Sequence, residues 1–173
     1  MKLPLFQVDA FTDKIFAGNP ACVVPLEEWL PNDLLLKIAK ENAVAETAFF
    51  IKEGSKFHLR WFTPETEMDL CGHATLAAAH AIKAILNHEG DKINFKTLSG
   101  ELEVVVVNSQ YTLNFPSREP VATSLPSDLS KAINIQPQEV LKARDFVLLF
   151  SSEEEVKNIK IDRAYFDNLA LGT

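Results

Sequence analysis

Apolar positions along this chain follow three patterns: alternation, helical recurrence and, in one stretch, near-continuous crowding. The crowded stretch runs from Ala74 to Leu86, where six of thirteen residues are alanine and Lys83 is the one charged residue. Alanine is the best helix former and no glycine or proline interrupts the run, so the stretch predicts a helix. Leu76, Ile82, Ile85, Leu86 and the alanines cover most of its circumference. A helix that is apolar nearly all round is a buried one. Its small alanines would let strands approach on several sides, and each buried Leu or Ile contributes roughly 1.5–3 kcal/mol.

The alternating segments predict strands around that helix. Leu3 to Phe11 and Ala21 to Val24 flank Phe16-Ala17-Gly18-Asn19-Pro20, a turn signal in which glycine frees φ and Pro20 holds Asn19 extended. Pro31 to Asn42 predicts an amphipathic helix: Leu35, Ile38, Ala39 and Asn42 recur at helical spacing and Asn32 is a candidate cap. Ala43 to Ile51 reads as a strand of small and apolar residues with one carboxylate, Glu46, near its start. Phe57 to Phe62 alternates, and Thr63-Pro64-Glu65 turns the chain toward the central helix. Beyond Asn87 to Gly90 the pattern becomes all-β, with strands at Lys92 to Thr97, Glu101 to Val107 and Tyr111 to Phe115, the last two forming a hairpin. Pro116 to Pro126 carries three prolines and reads as a linker. After it come a short helix from Ser127, a turn at Gln136-Pro137, a strand from Asp145 to Phe150, a polar helix from Ser152, and a helix end in Tyr165 to Thr173. The expected organisation is a first domain over 1–116, then a linker and the incomplete start of a second over 117–173.

Composition narrows the function classes. The chain has 173 residues, 47% of them hydrophobic and 24% charged, as in ordinary globular proteins. A net charge of −7 without a Lys/Arg cluster argues against a nucleic-acid surface. Two cysteines, Cys22 and Cys71, form no disulfide framework or zinc-ribbon spacing. His80 and His88 have no metal-site spacing with His73 or Cys71, so no metal site is expected. No basic segment followed by an apolar one opens the chain, and the uncharged run Leu70 to Ile82 is shorter than the roughly 20 residues a bilayer needs. A reducing, cytoplasmic setting away from membranes is therefore expected.

Candidate chemistry gathers at the start of the central helix. Cys71, Gly72 and His73 fall where the first backbone N–H groups lack an intrahelical acceptor, a setting that favours an anion or developing negative charge. Gly72 permits close approach of a ligand. His73 and Cys71 are candidates for proton transfer, or else a helix cap and a core residue. Glu46, among Val44, Ala45, Ala48 and Phe49, gives up hydration if buried, the setting that equips a carboxylic acid for proton transfer; the alternative is an outward-facing residue at a strand end. Asn19 is either a turn former or an amide offered to a ligand. His58 reads as a solvated strand residue.

Five blocks tie the chain to a family: Gln7-Val8-Asp9-Ala10-Phe11-Thr12, Gly18-Asn19-Pro20-Ala21, Glu46-Thr47-Ala48-Phe49, Arg60-Trp61-Phe62-Thr63-Pro64 and Leu70-Cys71-Gly72-His73-Ala74-Thr75-Leu76. In this order they closely resemble the phenazine-biosynthesis isomerase (PhzF-like) family, relatives of diaminopimelate epimerase. The resemblance also takes in Ser99-Gly100 and Asn114-Phe115-Pro116, and so runs over essentially the whole chain. It implies an α+β fold of two similar halves, each a curved mixed sheet wrapped around a central buried helix, with a cofactor-independent, metal-free site in the cleft between them. The family's general acid/base matches Glu46, and the histidine that positions substrate and proton matches His73. Asn19, Cys71 and Gly72 fall at substrate-binding positions, with the Gly72 and His73 amides facing a substrate carboxylate. In the epimerase relatives the position of Cys71 holds a catalytic thiol. A small carboxylic-acid substrate and a homodimer are the corresponding expectations. Two departures stand out. Ala45 replaces a common serine, and the acidic Asp-Pro-Val-Thr-Gly-Ser motif of the family's second half is absent from these residues. Proton transfer through Glu46, a catalytically incomplete form that binds a small carboxylate or a protein, and a Cys71-dependent amino-acid epimerase are the three functions compatible with these features.

Overall fold

A computed structural model describes residues 2–167 and 169. The chain divides into two compact units, Met1–Phe115 and Pro116–Thr173.

The first unit is built on β1 (Phe6–Ala10), β2 (Asn19–Leu26), α1 (Asn32–Asn42), β3 (Glu46–Glu53), β4 (Lys56–Phe62), β5 (Glu67–Met68), α2 (Gly72–His80), β6 (Lys92–Thr97), β7 (Gly100–Val107) and β8 (Gln110–Asn114). Its strands form one mixed sheet in the order β1-β2-β3-β4-β6-β7-β8, with β5 paired onto β4. Two neighbouring pairs are parallel, β2 with β3 and β4 with β6. Parallel neighbours need a crossover, and α1 and α2 supply one each. The crossovers use opposite faces. Ala21 and Val23 of β2, Ala48 and Phe50 of β3, and Leu59 and Trp61 of β4 join the alanines of α2 in one core. Val24, Phe49 and Phe62 join Leu35 and Ala39 of α1 in another. The two-residue period of a strand makes this division.

α2 packs on β1, β2, β3 and β8, which lie at both ends of the strand order. A sheet can touch one helix from both ends only by curling around it, so the unit is a half-barrel wrapped on α2. Ala74, Ala77, Ala78, Ala79, Ala81 and Ile82 are buried. The burial expected of the whole helix stops short of its end. From Ala81 to Ile85 the helix widens into a π-turn, and Ile85 and Leu86 are exposed. Three further readings are corrected. Pro31, not Asn32, occupies the N-cap of α1; the Asn32 side chain instead accepts from Arg60 Nη2 at 2.9 Å. β2 extends through Pro25 to Leu26. His58 is half-buried and partnered, with the Trp29 indole N–H donating to its Nδ1 at 3.3 Å.

The second unit carries β9 (Val121–Ala122), α3 (Ser127–Ala132), β10 (Glu139–Lys142), β11 (Phe146–Leu149), α4 (Glu153–Lys157) and α5 (Arg163–Phe166). Its strands order as β11-β10-β9, all antiparallel. Leu129, Ala132 and Ile133 are buried, and α3 packs on α5. Ser152 caps α4 by accepting from the Glu155 amide. The proline-rich stretch expected to be a linker thus contains a strand, β9. The four-residue β10 escapes the sequence pattern because Glu-Val-Leu-Lys is too short to establish alternation. Of the helix end expected in Tyr165 to Thr173, residues 168 and 170–173 lie outside the described residues.

Candidate active site

Strand alternation aims Glu46. It shares a face of β3 with Ala48 and Phe50, which pack against α2, while Thr47 and Phe49 turn away. As the first residue of β3 it lies opposite Ala21 of the parallel strand β2. Just before it, Ala43 ends α1 at φ 53°, the left-handed conformation that stops a helix. The Asn42 side-chain amide then donates to Thr47 Oγ1 at 3.1 Å, pinning the entry to β3.

The other wall is the start of α2. Cys71 is its N-cap, in extended backbone, and its carbonyl accepts from the Thr75 amide at 3.3 Å and from the Thr75 hydroxyl. The amides of Gly72, His73 and Ala74 precede the first such bond and have no acceptor within the helix. Their N–H dipoles and the helix dipole make this end attractive to an anion. Gly72 is closely covered: a Cβ there would lie 2.9 Å from the Phe115 ring, which would have to move aside. From the turn between β6 and β7, Ser99 Oγ donates to the Asp69 carbonyl at 2.8 Å and holds the approach to the helix.

Glu46, Cys71 and His73 meet where these walls join. His73 Nε2 lies 3.2 Å from Glu46 Oε2, with the two side chains 9% and 16% exposed. The contact is at ion-pair distance but lacks hydrogen-bond alignment, so Nε2 has no hydrogen-bond partner among the described residues. His73 Nδ1 is 3.5 Å from Cys71 Sγ. The Cys71 thiol is pushed up to about 12, first by burial; a hydrogen bond from the Ala74 N–H pulls it down, and the charge and hydrogen bond of Glu46 raise it further. At neutral pH it is therefore a thiol and not a thiolate. A carboxyl, an imidazole and a neutral thiol in contact, beside helix-start amides that lack an intrahelical acceptor, can hold an anionic group and pass a proton to or from it.

Of the sequence candidates, Glu46, Cys71, Gly72 and His73 come together. Asn19 opens β2 two residues before Ala21, the register partner of Glu46, and is exposed. Sequence reasoning missed Phe115, which packs beside Gly72 although it is far from it along the chain. It also missed Tyr111, whose hydroxyl lies 3.1 Å from His80 Nδ1 on the flank of α2. The sequence puts both on one strand, and Phe115 in the Asn114-Phe115-Pro116 block, but does not show what either meets on α2.

A half-barrel around one alanine-rich helix, with an acid and a histidine converging on the helix start, places the protein in the class of α+β folds built like diaminopimelate epimerase. The chain belongs to the phenazine biosynthesis-like protein (PhzC-PhzF) family, whose model matches residues 8–168. It is 41% identical over 169 residues to a Pseudomonas aeruginosa protein named an uncharacterized isomerase, covering 98% of this chain and 65% of that relative. The crystal structure of a phenazine biosynthesis protein of the PhzF family from Enterococcus faecalis superposes with a TM-score of 0.87 at 40% identity, over 99% of this chain and 66% of that one. A protein described as a predicted epimerase from Pseudomonas aeruginosa shares the fold, with a TM-score of 0.71 at 18% identity over 98% of this chain and 67% of its own. The chain thus spans about two thirds of the length of these relatives.

Proposed function

We propose that this chain carries the acid/base half of a PhzF-like isomerase that moves a proton within a small carboxylic-acid substrate, without a cofactor. Glu46 takes the proton from one carbon of the substrate and returns it to another. His73, in contact with that carboxylate, positions substrate and proton. The amides of Gly72 and His73 hold the substrate carboxylate, and Asn19 contributes its amide from the rim. The observation that carries this reading is the 3.2 Å contact between Glu46 and His73 at the start of α2. Such a pair supplies positioned general acid–base catalysis, worth typically about 10²–10⁴-fold in rate. The isomerase name of the Pseudomonas aeruginosa relative supports the same reaction class.

The Cys71-dependent epimerase is disfavoured, because a thiol pushed up to about 12 is a poor proton acceptor at neutral pH. The enzyme is expected to act as a cytoplasmic homodimer. The test is a screen of small cyclic and amino-bearing carboxylic acids by NMR in deuterated water, using the full-length gene product. A turned-over compound incorporates solvent deuterium, and Glu46→Gln abolishes that incorporation. Exchange that persists in Glu46→Gln at the wild-type rate removes Glu46 from the proton transfer.

A further inference from the structure

The trio at the start of α2 offers three different donor types in one place: a carboxylate oxygen, a thiol sulfur and an imidazole nitrogen. One such atom from each of Glu46, Cys71 and His73 lies within 4.8 Å of the other two. We propose that these three side chains bind a thiophilic divalent cation, zinc above all, leaving its fourth position open.

Two observations support the site. His73 is nine-tenths buried, and its Nε2, aimed at Glu46, has no hydrogen-bond partner among the described residues. A buried polar nitrogen without such a partner is costly, and a metal ion would satisfy it. The separations are also near those of a tetrahedral zinc. Zinc–sulfur and zinc–nitrogen or –oxygen bonds of about 2.3 and 2.0–2.2 Å put ligand atoms roughly 3.3–3.6 Å apart. Here the thiol and imidazole are 3.5 Å apart and the imidazole and carboxylate 3.2 Å, through different ring nitrogens. Closing all three donors on one ion therefore takes a side-chain rearrangement, because Nδ1 faces the thiol and Nε2 the carboxylate.

Charge and softness select the ion. The positive end of α2 opposes a bare cation, so the site needs anionic ligands. Thiolate and carboxylate supply two negative charges, which balance one divalent ion and leave the buried site neutral. The thiol proton is released to buffer as the metal–sulfur bond forms. Sulfur and imidazole ligands suit zinc and cobalt, while magnesium and calcium prefer oxygen. Three protein ligands with an open fourth position are the arrangement of catalytic zinc sites. Chain spacing relates only His80 and His88 to His73 and Cys71. Glu46 is far from them along the chain, and β3 brings it to the same point.

If the acid/base reading holds, the same ion would occupy Glu46 and His73 and block proton transfer, making zinc an inhibitor. The binding itself does not depend on that reading and is measured without substrate. Untagged full-length chain is titrated with zinc by calorimetry and with cobalt by absorption. The expected result is one ion per chain, with a thiolate-to-cobalt charge-transfer band and the visible bands of tetrahedral cobalt. Cys71→Ser and Cys71→Ala should each abolish the charge-transfer band. His73→Asn should weaken zinc by roughly 100-fold and Glu46→Gln by roughly tenfold. Cys22→Ser should leave both signals unchanged, and magnesium should give no heat. Thermal melts confirm that each variant is folded. Three results would overturn the proposal: no charge-transfer band, a band that survives both Cys71 substitutions, or unchanged zinc affinity in folded His73→Asn or Glu46→Gln. Failure of metal binding would leave the deuterium-exchange result intact, and the reverse also holds.

Discussion

The protonation state of Cys71 separates two mechanisms, and a reagent for thiolates can read it. Burial and the Glu46 carboxylate push the thiol from an ordinary 9.0 up to about 12. At pH 8 an ordinary thiol of that kind is about 10% thiolate, while Cys71 is about 0.01% thiolate. Alkylation by iodoacetamide should therefore run about a thousandfold below an unperturbed cysteine, before limited access is counted. In free energy the preference for the neutral thiol is about 4 kcal/mol, an order-of-magnitude figure. The assay is peptide mass spectrometry of iodoacetamide-treated protein in a Cys22→Ser background, from pH 7 to pH 11. The rate should climb about tenfold per pH unit without levelling, since only the anion attacks. In Glu46→Gln the charge and its hydrogen bond are gone but burial remains, so the curve moves to lower pH while staying above that of an ordinary thiol. The linkage has a definite sign. Because folding raises this group, its stabilisation is complete below pH 9 and is lost as pH rises from 9 through 12. Cys71→Ala should remove that part of the alkaline slope in urea melts. A rate plateau below pH 9 would mean a reactive thiolate, refute the argument from burial, and favour the Cys71-dependent epimerase over proton transfer through Glu46.

Gly72→Ala puts a methyl 2.9 Å from the ring of the exposed Phe115 and turns it aside, so deuterium incorporation should fall while thermal unfolding shifts by no more than about 1 kcal/mol, the ring displacement being offset by alanine's better helix propensity. Arg60 grips Glu67 through two 2.7 Å bonds and lies over the Trp29 and Phe62 rings; Arg60→Lys loses the planar fork and should cost about 1–3 kcal/mol in urea, with a double-mutant cycle against Glu67→Gln isolating the pair. Phe49 is fully buried against Phe62, ring centroids 5.7 Å apart, beneath α1; Phe49→Ala should cost about 3–5 kcal/mol by the same measurement.

What could be read directly from the sequence was whatever is written locally. The alanine run of α2 announces burial because no polar stripe is present to face water, and its start is marked by Gly72. β6 shows its full length because Lys92 to Thr97 alternates against one buried face. Glu46 is conspicuous because it is a charge among small apolar neighbours, and strand alternation already assigns it the same face as Ala48 and Phe50. What stayed hidden depends on register between distant segments. Which face of β3 meets α2 follows from β2 pairing in parallel with β3, and that pairing is invisible in either strand alone. The cap of α1 is hidden for a similar reason: Asn32 has the right side chain, but Arg60 from β4 donates to it at 2.9 Å.

The same limit explains why donor identity was legible and donor geometry was not. Cys71 and His73 are two residues apart, so their proximity follows from the chain. Glu46 reaches them only because the half-barrel curls, which in turn requires that α2 be narrow enough for β1 and β8 both to touch it. The alanines serve that closure: a leucine at Ala77, Ala78 or Ala79, each fully buried, would push the sheet off the helix. A sheet displaced in that way would also part Glu46 from His73. The small residues of the core and the contact at the site are thus one constraint, acting through the spacing between a strand and the helix it wraps.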